Sequence, residues 1–176
     1  MRVRRTGPLV ALVLLLAAAC THTPSPEPAS VPSGFKAWQG GWCSAAFPAD
    51  WKRDDSLTVG GGGGGPGVGG PTTFKGTTGW AYIDSSTGME AARPDAPLPR
   101  FASAYARTPL QVASRQVVDV PGAQSAFRLK LSGADGSSHL LVYGYDAKDS
   151  KNCWLGVTPA DRTAEQIAGT LAVGKG

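Results

Sequence analysis

The stretch QSAFRLKLSGADGSSHLLVYGYDAKDSKNCWLGV, residues 124–157, decides the fold class. Apolar runs in it alternate with short segments rich in turn formers, GADG and AKDSK, and a third such segment, PGA, precedes it. Runs joined this tightly form antiparallel neighbours, because a parallel pair needs a crossover connection of about a dozen residues or more. The prediction is an antiparallel meander of strands at 114–120, 124–132, 138–146 and 152–157.

Side-chain alternation within one of these runs indicates how the sheet is packed. Phe127, Leu129 and Leu131 alternate with Arg128 and Lys130. Successive side chains of a strand point to opposite faces of a sheet. The pattern is therefore typical of an antiparallel sheet with one face packed and the other face in water.

Outside the meander, the chain contains further strand patterns and two helical ones. The strand candidates are 42–47, a weaker run at 51–59, and 79–84, in which Trp80 and Tyr82 share one face. Apolar residues at spacings of three and four predict a helix at 97–108. A second helix is predicted from an N-cap at Thr158, with Pro159 and Asp161 in its first turn and Gly174 as its stop. Its buried stripe would be Ala160, Ala164, Ile167, Ala168 and Leu171.

Helices packed on an antiparallel meander make an α+β domain rather than a doubly wound one. Residues 35–176 are enough for one domain. Within it, the glycine-rich segment at 60–70 formally contains GxGxxG through Gly65, Gly67 and Gly70. The dinucleotide site that uses this motif needs a helix directly after the glycines, and Pro71 with its following threonines does not open one. We therefore interpret residues 60–70 as a flexible surface loop.

The N-terminus has the pattern of a secretory signal peptide, at 1–19. Three arginines precede the apolar run LVALVLLL, and three alanines provide a small-residue cleavage site. The uncharged run at 9–20 would be roughly 18 Å long as a helix, too short for the ~30 Å core of a bilayer. The sequence LAAAC at 16–20 resembles the lipobox of bacterial lipoproteins. That resemblance implies that Cys20 becomes the first mature residue and carries the lipid, palmitate among its acyl chains; cleavage without lipidation is the alternative.

Residues 20–34 are then the anchor cysteine and a Pro-rich tether. THTPSPEPASVPS, at 21–33, has four prolines and no large aromatic residue, a composition that favours extended chain. At about 3.1 Å per residue in polyproline II geometry, it could hold a domain up to roughly 40 Å from a membrane.

Charge and cysteine count limit the classes of partner. Of 17 basic residues against 13 acidic ones, Arg2, Arg4 and Arg5 belong to the leader, so the remaining chain is nearly neutral. It has no basic cluster of the kind that binds nucleic acid. Three cysteines in an exported chain need explaining. If Cys20 carries lipid, Cys43 and Cys153 remain, and an oxidising compartment favours a disulfide between them; two buried thiols are the alternative.

The order of elements resembles the PsbP-like domain. The resemblance rests on FPADW at 47–51 after the first strand, on VDVPGAQSAFRL at 118–129, and on the closing helix. It is closest to the form carried by lipoproteins of high-GC Gram-positive bacteria. The resemblance implies an α/β/α sandwich and a non-catalytic accessory or binding role, so it supplies no catalytic residue.

Two groups of side chains could carry chemistry. His139 follows serines at the start of a strand, but no GxSxG elbow supports a nucleophile, and a surface histidine is the alternative. Cysteine and histidine are not spaced as in a zinc site. Aromatic residues on strands could line a small-ligand pocket or form core. The candidates for a binding surface are Trp80, Tyr82, Tyr143 and Tyr145.

These observations predict a lipoprotein anchored at the cell membrane on its extracytoplasmic face. Its domain is expected to be non-enzymatic and to bind or assist an envelope protein. A glycolipid- or saccharide-binding protein is the alternative, followed by a hydrolase that uses His139. We expect no cofactor, no metal and no nucleic-acid partner.

Overall fold

The computed structural model describes residues 28, 30–54, 71–87 and 109–174. Several predicted features lie outside the described residues: the signal peptide (1–19), Cys20, most of the tether, the glycine-rich loop (60–70) and the helix at 97–108.

The described residues form strands and one helix. In chain order the elements are β1 (Phe35–Gly40), β2 (Cys43–Pro48), β3 (Lys52–Arg53), β4 (Thr72–Lys75), β5 (Trp80–Thr87), β6 (Leu110–Val117), β7 (Ser125–Gly133), β8 (Ser138–Asp146), β9 (Lys151–Thr158), α1 (Arg162–Ala168) and β10 (Ala172–Val173). The larger sheet has the order β3-β4-β5-β9-β8-β7-β6, and the smaller one has the order β1-β2-β10. Each strand pair in both sheets is antiparallel.

The predicted meander is confirmed. β6, β7, β8 and β9 are consecutive in the chain and adjacent in the sheet. β8 has the predicted bounds, whereas β6 begins earlier than predicted, at Leu110, and ends at Val117. Its register with β7 shifts between Val112 and Ser114, which is a β-bulge in the edge strand. The candidates at 42–47 and 79–84 are also strands, but the weak run at 51–59 is a strand only at Lys52–Arg53 within its described part.

The bounds predicted for the closing helix are wrong at both ends. Thr158 ends β9 instead of capping the helix, and the N-cap is Asp161, whose Oδ1 accepts a hydrogen bond of 2.9 Å from the backbone N–H of Ala164. The helix ends at a cap on Gly169, not at Gly174. The chain then forms β10, because Ala172 and Val173 pair with β2.

The larger sheet has two differently packed faces. Its inner face meets the smaller sheet and α1, and the core there includes Ala81, Ile83, Leu140, Val142, Leu155 and Ile167. The opposite face, which we call the aromatic face, holds a second buried cluster of Tyr82, Phe127, Leu129, Leu131, Leu141, Tyr143 and Trp154. The alternation predicted that Arg128 and Lys130 face water, but both side chains also contact α1. They lie on the inner face and bind Glu165 of α1, with N···O distances of 2.6 and 2.9 Å.

The predicted disulfide between Cys43 and Cys153 is confirmed. It joins β2 to β9 and so links the two sheets across the core. Beside it, the indole Nε1–H of Trp42 donates to the backbone oxygen of Asn152 at 3.0 Å. The bond closes a loop with a sequence separation of 110 residues.

Candidate functional site

The four aromatic residues predicted as a binding surface lie on one face of the larger sheet. The pairing of β5 with β9 and of β9 with β8 places Tyr82 opposite Gly156 and Trp154 opposite Tyr143. Ring centroids are 6.1 Å apart for Trp80 and Tyr82, and 3.8 Å apart for Tyr143 and Trp154. The Tyr82 ring covers Gly156, where an added Cβ would lie 2.1 Å from the ring. The absence of a side chain at Gly156 is what allows this close approach.

Burial changes the interpretation of this aromatic face. Tyr82 and Tyr143 expose only 4% and 1% of their surface. The Tyr143 hydroxyl donates to Oδ1 of Asn152, and burial, together with the neighbouring Tyr145, raises the pKa of Tyr143. Both buried tyrosines therefore serve as core, and only the half-buried Trp80 and Tyr145 reach the surface. A binding role for these two residues stays a prediction.

The carboxyl group of Asp84 lies in the same cross-strand row as Trp154 and Tyr143. Asp84 is opposite Trp154, which in turn is opposite Tyr143. Burial raises the pKa of Asp84, and a hydrogen bond from the backbone of Ser85 opposes that shift. The shift comes mainly from desolvation, and by itself it assigns no role to Asp84.

His139 belongs to a hydrogen-bonded chain at the end of the β7–β8 hairpin. The Ser137 hydroxyl donates to Asp135 at 2.6 Å, and it lies 3.2 Å from Nε2 of His139. Nδ1 of His139 lies 2.5 Å from the hydroxyl of Thr158. With the hydroxyl hydrogen of Ser137 on Asp135, a neutral His139 donates from Nε2 to Ser137 and accepts at Nδ1 from Thr158.

This order is the reverse of what a nucleophilic serine requires. In a serine–histidine catalytic pair the serine donates its proton to the histidine, which acts as a base. Here the serine accepts from His139, and burial lowers the histidine pKa while Asp135 raises it. The chain of hydrogen bonds closes the hairpin against β9. Within the described residues no group of three His, Cys, Asp or Glu side chains could hold a metal ion.

A groove between the β6–β7 connection and the end of α1 is a candidate site formed by described residues. It has a volume of about 510 Å³, and Val117, at 72% exposure, stands at its rim. The other lining residues are Val118, Asp119, Val120, Pro121, Ala123, Gln124, Ser125, Ala126 and Gly169. We call this the β6–β7 groove.

The β6–β7 connection is fixed from three sides. Its Pro121 oxygen accepts from the N–H of Val173, and the N–H of Gln124 donates to Tyr145, both at 2.8 Å. The N–H of Ala123 closes a turn on Val120 at 3.0 Å. Gly122 has φ of +79°, and an added Cβ would lie 1.7 Å from the oxygen of Val173, so this position requires glycine. The groove is consequently formed before anything binds.

A second lobe of about 210 Å³ continues the groove under α1 and shares Val118, Asp119, Val120 and Gly169 with it. Its walls carry opposite charges. Arg128 binds Glu165 of α1 and also donates to the side-chain oxygen of Gln116 on β6. The site therefore combines apolar lining residues with polar and charged groups, as recognition sites on protein surfaces do.

Sequence reasoning did not single out this groove. The sequence predicted strands at 114–120 and 124–132 joined by the PGA turn, but VVDVPG also places three valines around one aspartate just before that turn. That signal, an apolar run directly before a Pro-Gly turn, could have pointed to Val117 and Asp119. The contribution of Gly169 and Glu165 could not have been found, because it depends on where α1 packs.

Comparison with solved structures identifies the type of fold. No family model matches the chain, and no curated protein matches it. Among solved structures, the solution structure of cyanobacterial PsbP (CyanoP) from Synechocystis is similar, with a TM-score of 0.52 and 13% identity over 81% of this chain and 94% of that one. The fold is PsbP-like. At this identity the similarity supports the architecture alone.

Two further structures are similar at lower scores. A mutant of the protein Mog1 aligns with a TM-score of 0.45 and 8% identity, over 79% of this chain and 95% of that one. A protein from Bacteroides thetaiotaomicron aligns with a TM-score of 0.41 and 17% identity, over 76% of this chain and 46% of that one. The PsbP-like architecture of antiparallel sheets with a packed helix agrees with the α+β prediction in this coarse sense.

Proposed function

We propose that this protein is a membrane-anchored, extracytoplasmic lipoprotein whose PsbP-like domain binds an envelope protein and does not catalyse a reaction. The full proposal includes the α/β/α sandwich form found in lipoproteins of high-GC Gram-positive bacteria, with Cys20 as the lipidated residue. The observation that carries it is the β6–β7 groove, a preformed site lined by both apolar and polar groups, with an exposed valine at its rim.

The groove has the features of a protein-recognition surface. Val117 exposes 72% of its surface next to an apolar lining, and exposed apolar surface rimmed by polar groups is typical of interaction sites. The hydrogen bonds that fix Pro121 and Gln124 limit the conformational entropy lost on binding. Asp119 and the Arg128–Glu165 pair supply polar contacts that would select the partner.

The anchoring part of the proposal is supported by the sequence of the leader. The apolar run before Cys20 is shorter than a membrane span, and small residues precede the cysteine. No helix within the described ranges is long and apolar enough to span a bilayer. The Cys43–Cys153 disulfide fits an oxidising compartment, where such bonds persist.

A small-ligand function is the second candidate. The groove volume of about 510 Å³ falls within the roughly 300–1,000 Å³ range of ligand pockets. A glycolipid or saccharide could occupy it. The hydrolase alternative is disfavoured, because Ser137 accepts a hydrogen bond from His139 and cannot at the same time be activated by it.

The proposal is tested with the lipidated protein in its own membranes. A photo-cross-linking amino acid is placed at Val117, and, as a matched control, at Ala113, which is also exposed and lies about 13 Å away along β6 at ~3.3 Å per residue. We expect a single protein adduct from Val117 and none from Ala113. Equal adducts from both positions would reject the groove as the site, and a lipid or saccharide adduct would favour the second candidate.

The anchor is tested separately by mass spectrometry of the N-terminal peptide. We expect an acylated cysteine at position 20 and loss of membrane retention in Cys20→Ala. A mature N-terminus with an unmodified Cys20 thiol would contradict the lipoprotein assignment.

A further inference from the structure

The outer side of β6 is an open edge of the larger sheet. β6 pairs with β7 on one side, and no strand of the described ranges lies on its other side. Gln116 and Val117 near its end are both exposed. The opposite edge of the sheet is formed by β3, which has only two residues. A strand edge of this kind can pair with the strand of another chain.

The backbone of Val117 directs its hydrogen-bonding groups away from β7. The N–H of the next residue, Val118, donates to the oxygen of Ala126 on β7 at 3.2 Å. In an antiparallel ladder the backbone groups of successive residues alternate between the two sides of the strand. The N–H and C=O of Val117 therefore point outward, and so do those of residues 115 and 119. An added strand could pair with them.

Three side chains along this edge lie on one face of the sheet. Val117 is opposite Phe127 and Arg115 is opposite Leu129, and both partners belong to the aromatic face. Asp119 lies two residues beyond Val117, on chain that is still hydrogen-bonded to β7, so side-chain alternation gives it the same face. Asp119 is exposed, and the part of the chain that the structure describes offers it no ion-pair partner.

This order of cation, apolar residue and anion is complementary to itself. When two β6 strands pair antiparallel about a two-fold axis at Val117, each Val117 lies opposite its own copy. Arg115 then lies opposite Asp119 of the second copy, and this pair of opposite charges occurs twice. A guanidinium has five N–H donors, so Arg115 can bind a carboxylate in addition to other contacts. An axis at Arg115 or at Asp119 would instead place like charges opposite each other, which destabilises a sheet.

The β-bulge in β6 sets the length of the paired segment. The register shift between Val112 and Ser114 leaves Ala113 outside the regular ladder. In the two-fold register at Val117, Ala113 would lie opposite Pro121 of the second copy, and proline has no N–H to donate. The paired segment therefore extends over residues 115–119 and ends where the backbone becomes irregular.

We infer that a second copy of this chain binds at the outer edge of β6 through Arg115, Val117 and Asp119, so that two larger sheets become continuous. The contact uses the same residues on both copies, as in a closed symmetric dimer. The inference rests on the proposed function, because it names a second copy as the protein that covers Val117 at the rim of the β6–β7 groove. Anchoring both copies in one membrane raises their effective concentration, which supports so short a contact.

The experiment uses the full lipidated chain in its own membranes, with Val117→Cys. Opposite residues of a hydrogen-bonded antiparallel pair have Cα atoms about 5.5 Å apart, within the ~4.4–6.8 Å that a disulfide spans. Mild oxidation should therefore join two copies into a product of twice the chain mass on a non-reducing gel. The matched control is Ala113→Cys, which is exposed on the same strand. Two such cysteines would be roughly 26 Å apart in the paired strands and should not join.

Charge variants in the Val117→Cys chain test the register. Asp119→Arg should lower the dimer yield about fivefold or more, because it places two arginines opposite each other. Arg115→Asp/Asp119→Arg should restore the yield, because the exchanged charges are again opposite. Recovery in the exchanged variant would also show that the loss in Asp119→Arg is not a folding defect.

Equal dimer yields from Val117→Cys and Ala113→Cys, or no recovery in the exchanged variant, would overturn the inference. A monomeric Val117→Cys, together with a photo-cross-linked adduct between Val117 and a different protein, would overturn it and leave the proposed function standing. If no protein adduct of either kind is specific to Val117, both the inference and the proposed function are wrong.

Discussion

Removal of the Cys43–Cys153 disulfide should lower the free energy of unfolding of this domain substantially. Both cysteines are buried, and the bond closes a loop of 110 residues between β2 and β9. In the chain-entropy treatment a loop of this length stabilises the folded state by about 5 kcal/mol, with native strain and residual unfolded structure lowering the value. Cys43→Ala/Cys153→Ala should therefore lower the free energy of unfolding by about 3–5 kcal/mol, a large share of the ~5–15 kcal/mol of a typical domain.

Urea unfolding followed by tryptophan fluorescence measures this loss. The double variant should unfold at lower urea, and wild type that has been reduced in the unfolded state should match it. Added reductant alone should act slowly on the folded wild type, because the buried bond is reached only through unfolding. A double variant within about 1 kcal/mol of the oxidised wild type would refute the reasoning that the bond is a principal constraint between the two sheets.

Other substitutions test single contacts. Gly156→Ala should lower the free energy of unfolding by about 1–3 kcal/mol, because its Cβ would lie 2.1 Å from the Tyr82 ring; an unchanged urea midpoint would show that the ring moves freely. Asp161→Ala should cost about 1 kcal/mol in the same assay, because it removes the cap on Ala164, whereas Asp161→Asn should retain most of it. Burial lowers the pKa of His139, so its neutral form favours folding, and stability should fall as pH drops below the ordinary histidine value of about 6.5. His139→Gln should lack that dependence; the same pH profile in both proteins would contradict the assignment.

The parts of the fold that follow from sequence are those in which one short pattern decides the outcome. The β8 bounds follow from turn-forming residues on both sides of an apolar run. Alternation around Arg128 correctly separated the two faces of β7, yet it could not show that the polar face meets α1 through Glu165. Long-range packing decides whether a charged face lies in water or against another element.

The missed elements are short and depend on partners distant in sequence. β4, β10 and β1 have weak local patterns and are strands because they pair with β5 and β2. The predicted helix start was wrong by three residues, because Thr158 and Asp161 are equally good N-cap residues in the local sequence. Thr158 instead belongs to β9, since it pairs with Trp80 of β5.

In the candidate sites, too, some features follow from local sequence and others depend on long-range strand pairing. The aromatic residues of β5 and β8 could be assigned to faces from their own strands, but whether those faces coincide depends on β9 lying between them. That interposition brings Tyr143 against Trp154 and buries it.

Recognition of an envelope protein by the β6–β7 groove is measured through the affinity of the domain for the protein that is captured at Val117. Isothermal titration compares wild type with Val117→Asp, which places a charge at the exposed rim, and with Ala113→Asp, which adds the same charge farther along β6. We expect at least a tenfold larger dissociation constant for Val117→Asp, corresponding to about 1.4 kcal/mol, and no change for Ala113→Asp. Unchanged affinity in Val117→Asp, with the domain still folding cooperatively, would contradict it.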